Sequence, residues 1–224
     1  MDISKYAVIV AGGAGTRMGA TTPKQFLLLN GKPLLYYTLK AFFDAFADIQ
    51  IILVLPEEHI GTGQEIIDAY FDHQHVSIAV GGRTRFHSVQ NGLGLVLEES
   101  VVFVHDAVRC LVTPTLIRNC FEATLSFGSA VPVIACKDSV RILTDEGNEM
   151  LPREMVKLVQ TPQTFYSKIL LPAFQIDYKD KFTDEASVVE SFGLKLYLVE
   201  GEVENIKITH PADLILAEYI LNTR

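Results

Sequence analysis

Arg17 and Lys24 flank the end of a glycine-rich stretch, Ala11-Gly12-Gly13-Ala14-Gly15-Thr16-Arg17-Met18-Gly19, which is followed closely by Pro23-Lys24-Gln25. Glycines let a backbone approach an anion and turn its N–H groups toward it. An arginine adds a planar bidentate fork and a lysine a compact charge, and both can reach the phosphates that such a turn would hold. Two familiar glycine loops are excluded. A dinucleotide fingerprint beginning at Gly13 and Gly15 needs glycine where Met18 stands, and no glycine here precedes Lys and then Ser or Thr, as a P-loop requires.

Three more polar stretches carry candidate chemistry: Gly81-Gly82-Arg83-Thr84-Arg85 with Ser88 and Asn91, His105-Asp106-Ala107-Val108-Arg109, and Lys207-Ile208-Thr209. Like the first, each follows an apparent strand. In open α/β sheets, ligands bind beyond the carboxyl ends of the strands where strand order reverses, so one mouth can collect all four. Asp106 is a carboxylate of the kind that holds a hard cation, or simply a cap at a strand end. His73 and His75 lack a third ligand nearby and read as a polar loop. Cys120 among apolar neighbours reads as core, and Tyr36-Tyr37 as packing.

The elements that must position these residues are legible as periodicity. After Asn30-Gly31, a turn signal, Pro33 can open a helix, with Leu35, Leu39, Phe42 and Phe46 at helical spacing. The continuous apolar run at residues 51–55 reads as a buried parallel strand, and residues 76–80, 101–104 and 129–135 read as further strands. Helices are expected over 64–71, around Ser88 and Asn91, and from the Thr113-Pro114 cap to 127. The alternation predicts an α/β fold: a Rossmann-like three-layer α/β/α arrangement with a mostly parallel central sheet. Residues 139–143 and 155–159 then break it, as two strands around a turn at 145–148, and predict a β-arm protruding from the sheet. Helices over 166–174 and 183–192, strands over 194–199 and 205–208, and a helix over 211–221 complete the chain. No linker divides it, so residues 1–224 read as one domain with an arm at about 136–160.

With 224 residues, 49% of them hydrophobic, the chain can bury a substantial core. Its net charge of -8 disfavours a general nucleic-acid binder; a polyanionic substrate must meet a local cluster of cations. Three cysteines, Cys110, Cys120 and Cys136, fit reduced thiols in the cytoplasm. No run suits a signal peptide or a membrane span, so no membrane partner is expected.

The run Gly-Gly-x-Gly-Thr-Arg-Met-Gly with its following Pro-Lys-Gln resembles the nucleotidyltransferases that load sugar or alcohol phosphates onto a nucleotide. Lys24-Gln25 is most similar to the cytidylyltransferases, and among them to the family acting on 2-C-methyl-D-erythritol 4-phosphate in isoprenoid precursor synthesis. The likeness extends through Asp138-Ser139, Thr161-Pro162-Gln163, Thr183-Asp184-Glu185-Ala186-Ser187 and Asn205-Ile206-Lys207. It implies that Ala11, Gly12, Gly13, Ala14, Gly15 and Thr16 wrap CTP, that Gly82, Arg83 and Ser88 select cytosine, and that Asp106 binds the ribose or an Mg2+ ion. Arg17 and Lys24 would stabilise the transition state, while Arg153 and Lys207 would hold the incoming phosphate. Arg109, Ser139, Thr161 and Thr183 would line the acceptor. The resemblance also implies a homodimer through the arm, with Ser139 and Arg153 serving the neighbour's site. Val108, Cys110 and Ser139 stand where that family more often shows Ala, Pro and Thr, and Val108 is common in ribitol phosphate cytidylyltransferases. Ribitol phosphate is therefore an alternative acceptor, and a silent nucleotide-binding subunit of the same fold is the alternative from a different class.

Overall fold

The computed structural model describes residues 3–12, 22–71 and 75–224. The chain opens with β1 (Ser4–Val10). A 3-10 turn at Lys24–Phe26 leads to a small hairpin of β2 (Leu28–Leu29) and β3 (Lys32–Pro33). Its turn places Asn30 and Gly31 at φ 48° and 76°, the left-handed region these residues tolerate best. Then follow α1 (Leu34–Ala45), β4 (Gln50–Leu55), α2 (Ile60–Tyr70), β5 (Val76–Val80), α3 (Arg85–Leu93), β6 (Ser100–Asp106), α4 (Pro114–Phe127) and β7 (Ser129–Ala135). The last part comprises β8 (Val140–Thr144), β9 (Gly147–Leu151), β10 (Lys157–Val159), β11 (Gln163–Tyr166), α5 (Ser167–Ala173), α6 (Glu185–Ser191), β12 (Leu198–Glu200) and α7 (Pro211–Thr223).

β6, β1, β4 and β5 lie side by side and parallel. β11 joins antiparallel between β6 and the start of β7, and β10 pairs antiparallel with the end of β7. β12 runs parallel along the other edge of β7: Val131 and Val133 turn their backbone groups to Tyr197 and Gly201, while Pro132 between them accepts from Gln160. Proline lacks an N–H, and here its carbonyl still serves the ladder at an irregular point between β10 and β11.

The two faces of the sheet separate by residue parity, as period-2 geometry requires. Along β1, Ala7 and Ile9 pack with Leu35, Leu39 and Phe42 of α1, Ile66 and Ile67 of α2, and Leu116, Ile117 and Cys120 of α4. Tyr6 and Val8 pack on the opposite face with Phe86 and Val89 of α3, Leu170 of α5 and Val188 and Val189 of α6. A third cluster ties Leu29 and Leu34 to Ile208 and to Ala217 and Ile220 of α7. Each fully buried aliphatic or aromatic side chain contributes about 1.5–3 kcal/mol, and this scaffold fixes the strand ends from which the site is built.

The alternating fold and the arm match the sequence expectation; several boundaries do not. The hairpin partner of β8 is β9, with Val140 opposite Leu151 and Gly147, opposite Thr144 just after the turn, at φ 138°. Residues 157–159 do form a strand, but it returns to the central sheet. β11 was not anticipated. The expected strand over 194–199 is confined to Leu198–Glu200, and 205–208 forms none. There the backbone is held by single contacts, Ile208 N to Val108 O at 3.0 Å and Asn205 Nδ2 to Thr161 O at 2.8 Å, instead of a ladder.

Candidate active site

Val10 and Asp106, the last residues of β1 and β6, are register partners, and Ala107 N–H donates to Val10 O at 3.0 Å. On its other edge β1 pairs with β4, so the order reverses here and opens a crevice at the carboxyl ends. Ala11 N–H donates to Val54 O at 2.9 Å and Gly81 N–H to Leu55 O at 2.7 Å, drawing the ends of four strands to one rim. A Cβ on Gly12 would lie 3.8 Å from Ser88 Oγ, so the two glycine junctions adjoin.

The second junction requires its glycine. A Cβ on Gly82 would fall 2.4 Å from His87 Cβ and 2.9 Å from its carbonyl carbon. Buried Ser88 secures the turn: its Oγ accepts from Gly82 N–H at 3.0 Å and donates to Thr84 O at 3.0 Å. Thr84 caps α3, and Arg83 stands exposed on the loop.

Asp106 is the electrostatic centre. Lys207 Nζ lies 2.8 Å from Oδ2, Arg109 Nε 3.7 Å from the same oxygen, and Arg85 Nε 3.2 Å from Oδ1. Arg85 also grips Glu185 with both Nη atoms, at 2.5 and 3.2 Å. These cations hold the Asp106 carboxyl well below the ordinary carboxylate range, against its burial. Three cations therefore face two carboxylates, a local surplus of positive charge suited to a polyphosphate.

Beneath Asp106, neutral His105 is fully buried, which pushes its imidazole down to about 3. Its Nε2–H donates to Arg109 O at 3.2 Å, leaving Nδ1 to accept from Thr161 Oγ1 at 2.9 Å. Thr161 Oγ1 in turn accepts from Asp106 N–H at 3.2 Å.

The model of the family described as 2-C-methyl-D-erythritol 4-phosphate cytidylyltransferase matches residues 5–223. The chain belongs to this family. A relative of that name in Bacteroides fragilis is 49% identical over 218 residues, 97% of this chain and 99% of that one. Another, in Phocaeicola vulgatus, is 46% identical over 219 residues, 98% of this chain and all of its own length. Among solved structures, the 4-diphosphocytidyl-2C-methyl-D-erythritol synthase of Anaerococcus prevotii superposes with a TM-score of 0.84 at 28% identity, covering 98% of this chain and 96% of that one.

Seen in this cytidylyltransferase family, the expected site residues divide into groups. Ala11, Gly12, Gly82, Ser88, Asp106, Arg109 and Lys207 converge. Lys24 joins them: it is buried, and its Nζ donates to Thr209 O at 2.9 Å, two residues beyond Lys207. Gln25 Nε2 donates to Ala11 O at 2.8 Å, tying the Pro-Lys-Gln segment to the first loop. Gly13, Ala14, Gly15, Thr16 and Arg17 lie outside the described residues. Thr161 is buried with its hydroxyl turned to His105 and Asp106. Arg109 is engaged with Asn205 O at 2.8 Å. Thr183 is exposed next to the Asp184 cap of α6. Ser139 and Arg153 are exposed on the arm, where Arg153 meets Lys137 O at 3.2 Å and Glu154 at 3.6 Å; within this chain they are not joined to the Asp106 cluster.

Arg85 and Glu185 were missed. Both carry a signal at helical spacing: Arg85 shares a face with Ser88, Val89 and Gly92, and Glu185 with Val188 and Val189. A charge on an apolar helix face must be paired or solvated.

Among the described residues no group of three or more His, Cys, Asp or Glu could hold a metal ion. The donor set fits a hard cation held by one carboxylate and completed by phosphate oxygens, the habit of Mg2+. A carboxylate has about four acceptor sites, and Asp106 uses two at hydrogen-bond distance, for Lys207 and Arg85.

Proposed function

We propose that this chain transfers the cytidylyl group of CTP to 2-C-methyl-D-erythritol 4-phosphate, releasing pyrophosphate and giving 4-diphosphocytidyl-2-C-methyl-D-erythritol, in the non-mevalonate route to isoprenoid precursors. The observation that carries this reading is the cation-rich cluster around Asp106, set between two adjoining glycine junctions in a chain of this family.

No side-chain nucleophile is needed. An oxygen of the acceptor's phosphate monoester attacks the α-phosphorus of CTP, the bond to the bridging oxygen of the β-phosphate breaks, and pyrophosphate leaves with the electron pair. The protein holds two anions together and stabilises charge on the non-bridging oxygens, so positioning and electrostatics carry the catalysis. Lys24 and Arg17 serve the α-phosphate. Lys207 directs the incoming phosphate, and Arg153 does so from the arm. Ala11 to Thr16 wrap the triphosphate, while Gly82, Arg83 and Ser88 read the cytosine edge. Arg109, Ser139, Thr161 and Thr183 shape the acceptor side, Thr161 from behind Asp106. Asp106 would hold Mg2+ together with the CTP phosphates, and that ion would offset the negative charge of the triphosphate.

The arm supports a homodimer. Its hairpin pairs with no other strand among the described residues, and Leu143, Met150 and Met155 are 84%, 70% and 81% exposed. A hairpin of this size is marginal alone in water, and a second copy offers an identical apolar surface across a two-fold axis. Among the described residues no helix is long and apolar enough to cross a membrane.

Pyrophosphate release from CTP and Mg2+ tests the reading, with 2-C-methyl-D-erythritol 4-phosphate, with ribitol 5-phosphate and with no acceptor. Release dependent on the first acceptor is expected. Preference for ribitol phosphate would reassign the acceptor, and no release with either would leave a nucleotide-binding subunit.

A further inference from the structure

Arg85 and Glu185 take no part in the chemistry described above, yet they form the best-aligned ion pair in the site. Arg85 is the first residue of α3, directly after its Thr84 cap. Glu185 is the first residue of α6, directly after its Asp184 cap. Glu185 is fully buried, and the guanidinium meets it edge to edge, Nη1 to Oε1 at 2.5 Å and Nη2 to Oε2 at 3.2 Å. The remaining donor, Nε, points to Asp106 Oδ1 at 3.2 Å. One side chain therefore links three elements: the helix that follows the Gly81-Gly82 junction, the end of β6, and the helix that follows Thr183.

The Glu185 end is anchored independently of Arg85. Gln163 of β11 donates from Nε2 to Asp184 Oδ2 at 2.9 Å and accepts at Oε1 from Ala186 N–H at 2.7 Å. Asp184 and Ser187 complete a reciprocal capping box. Glu185 is thus a fixed acceptor, and the planar Arg85 fork docked on it can take few orientations. With Arg85 fixed, Asp106 Oδ1 is taken, and Oδ2 is the oxygen turned toward Lys207 at 2.8 Å and Arg109 at 3.7 Å. The pair also sets the charge. Glu185 neutralises Arg85, so Asp106 keeps its negative charge for the groups on the crevice side. Without Glu185, the guanidinium would have Asp106 as its remaining carboxylate and would draw that side chain onto itself.

We propose that Glu185, acting through Arg85, is a positioning residue for the transfer reaction: the pair orients Asp106 and holds the nucleotide side of the crevice, at α3, in register with the acceptor side, at α6. This rests on the cytidylyl transfer proposed above.

A structural role alone makes a different prediction. A buried ion pair replaced by apolar groups of similar volume often leaves stability unchanged or raised, whereas removing one partner is destabilising. The decisive comparison is therefore between Glu185→Gln, Glu185→Asp and the double variant Arg85→Met/Glu185→Leu, each as the full-length protein. Melting temperature reports the fold, and steady-state kinetics with CTP, Mg2+ and 2-C-methyl-D-erythritol 4-phosphate report the reaction. The double variant should melt within a few degrees of the wild type and still lose about ten- to a hundredfold in kcat, the range for removing a group that orients a reactive one. Glu185→Gln should lose kcat similarly, and Glu185→Asp, which keeps the charge, should recover part of it. A double variant that folds and turns over like the wild type would overturn the proposal, because the pair would then only fill space. Failure of the double variant to fold would overturn it equally, by making the pair a determinant of the fold. An inactive wild-type protein would sink the transfer reaction itself, and the parallel wild-type assay keeps the two failures apart.

Discussion

Replacing Thr161 by valine removes one oxygen and little volume, so its effect isolates a polar network. In the native protein that oxygen accepts from Asp106 N–H at 3.2 Å and donates to His105 Nδ1 at 2.9 Å. Both partners are buried, and valine leaves each without a hydrogen bond. An orphaned buried polar group costs about 1–3 kcal/mol, so Thr161→Val should destabilise by about 2–6 kcal/mol. In a chain of this size that lowers the melting temperature by roughly 5–20 °C. Thr164, three residues on, is an internal control. It is fully buried in β11, and its Oγ1 meets no nitrogen or oxygen partner and lies beside the Cys120 thiol. Thr164→Val should be neutral or stabilising, since it removes a buried hydroxyl without a strong bond and suits a strand. Urea denaturation of both variants is the assay, followed by CTP-dependent pyrophosphate release at a temperature where each is folded. Thr161→Val should also lose activity, because the Asp106 backbone is freed. Equal midpoint shifts in the two variants would refute the reasoning.

Lys24→Ala should lower kcat by on the order of a hundredfold with little change in CTP affinity; if the change is confined to the Michaelis constant for CTP, Lys24 is a ground-state binder. Replacement of CTP by UTP should cost most of the activity, because the Gly82–Ser88 junction would face an unpaired base edge, and comparable efficiency would show that this junction does not read the base. Burial pushes the thiols of Cys110 and Cys120 up to about 12. These groups keep their protons in the folded state while the unfolded chain loses them from about pH 8.5, so stability should fall as pH rises from about 9 to 12. A urea midpoint that stays flat over that range would contradict it. Arg153→Ala and Lys24→Ala proteins, refolded together, should regain part of the activity each lacks, since a mixed dimer with shared sites has one site free of both lesions; no recovery in proven mixed dimers would remove Arg153 from the neighbour's site.

How far the fold was legible follows from what each segment contacts. Residues 51–55, 76–80 and 129–135 form strands of mainly apolar character, and period and turn residues located them to within a residue. The arm was found as an interruption, but its pairing was misread. Residues 155–159 are more apolar than Gly147–Leu151, which makes them the better sequence match to 139–143, although β10 pairs with β7 at the edge of the main sheet. Apolar character could not report the partner there, and β10 stays exposed in this chain. β11 escaped for a different reason: Gln163 and Thr164 are polar, and the burial of Gln163 is compensated by bonds to distant residues, Asp184 and Ala186.

The site shows the same division. Glycine and cation spacing pointed to Lys24, a strand end pointed to Asp106, and the family resemblance singled out Lys207, because each signal is tied to its own stretch of chain. What sequence order could not give is the pairing of charges: Arg85 with Glu185 spans 100 residues, and Lys24 with the Thr209 carbonyl spans 185. That pairing decides the local electrostatics. A chain with a net charge of -8 receives a triphosphate only where its cations outnumber its carboxylates. Around Asp106 they do so by one, because Glu185 neutralises Arg85 and Asp106 is shared between Lys207 and Arg109. The attraction for the nucleotide therefore depends on the balance within five side chains brought together by the fold, and the overall composition, which points the other way, does not determine it.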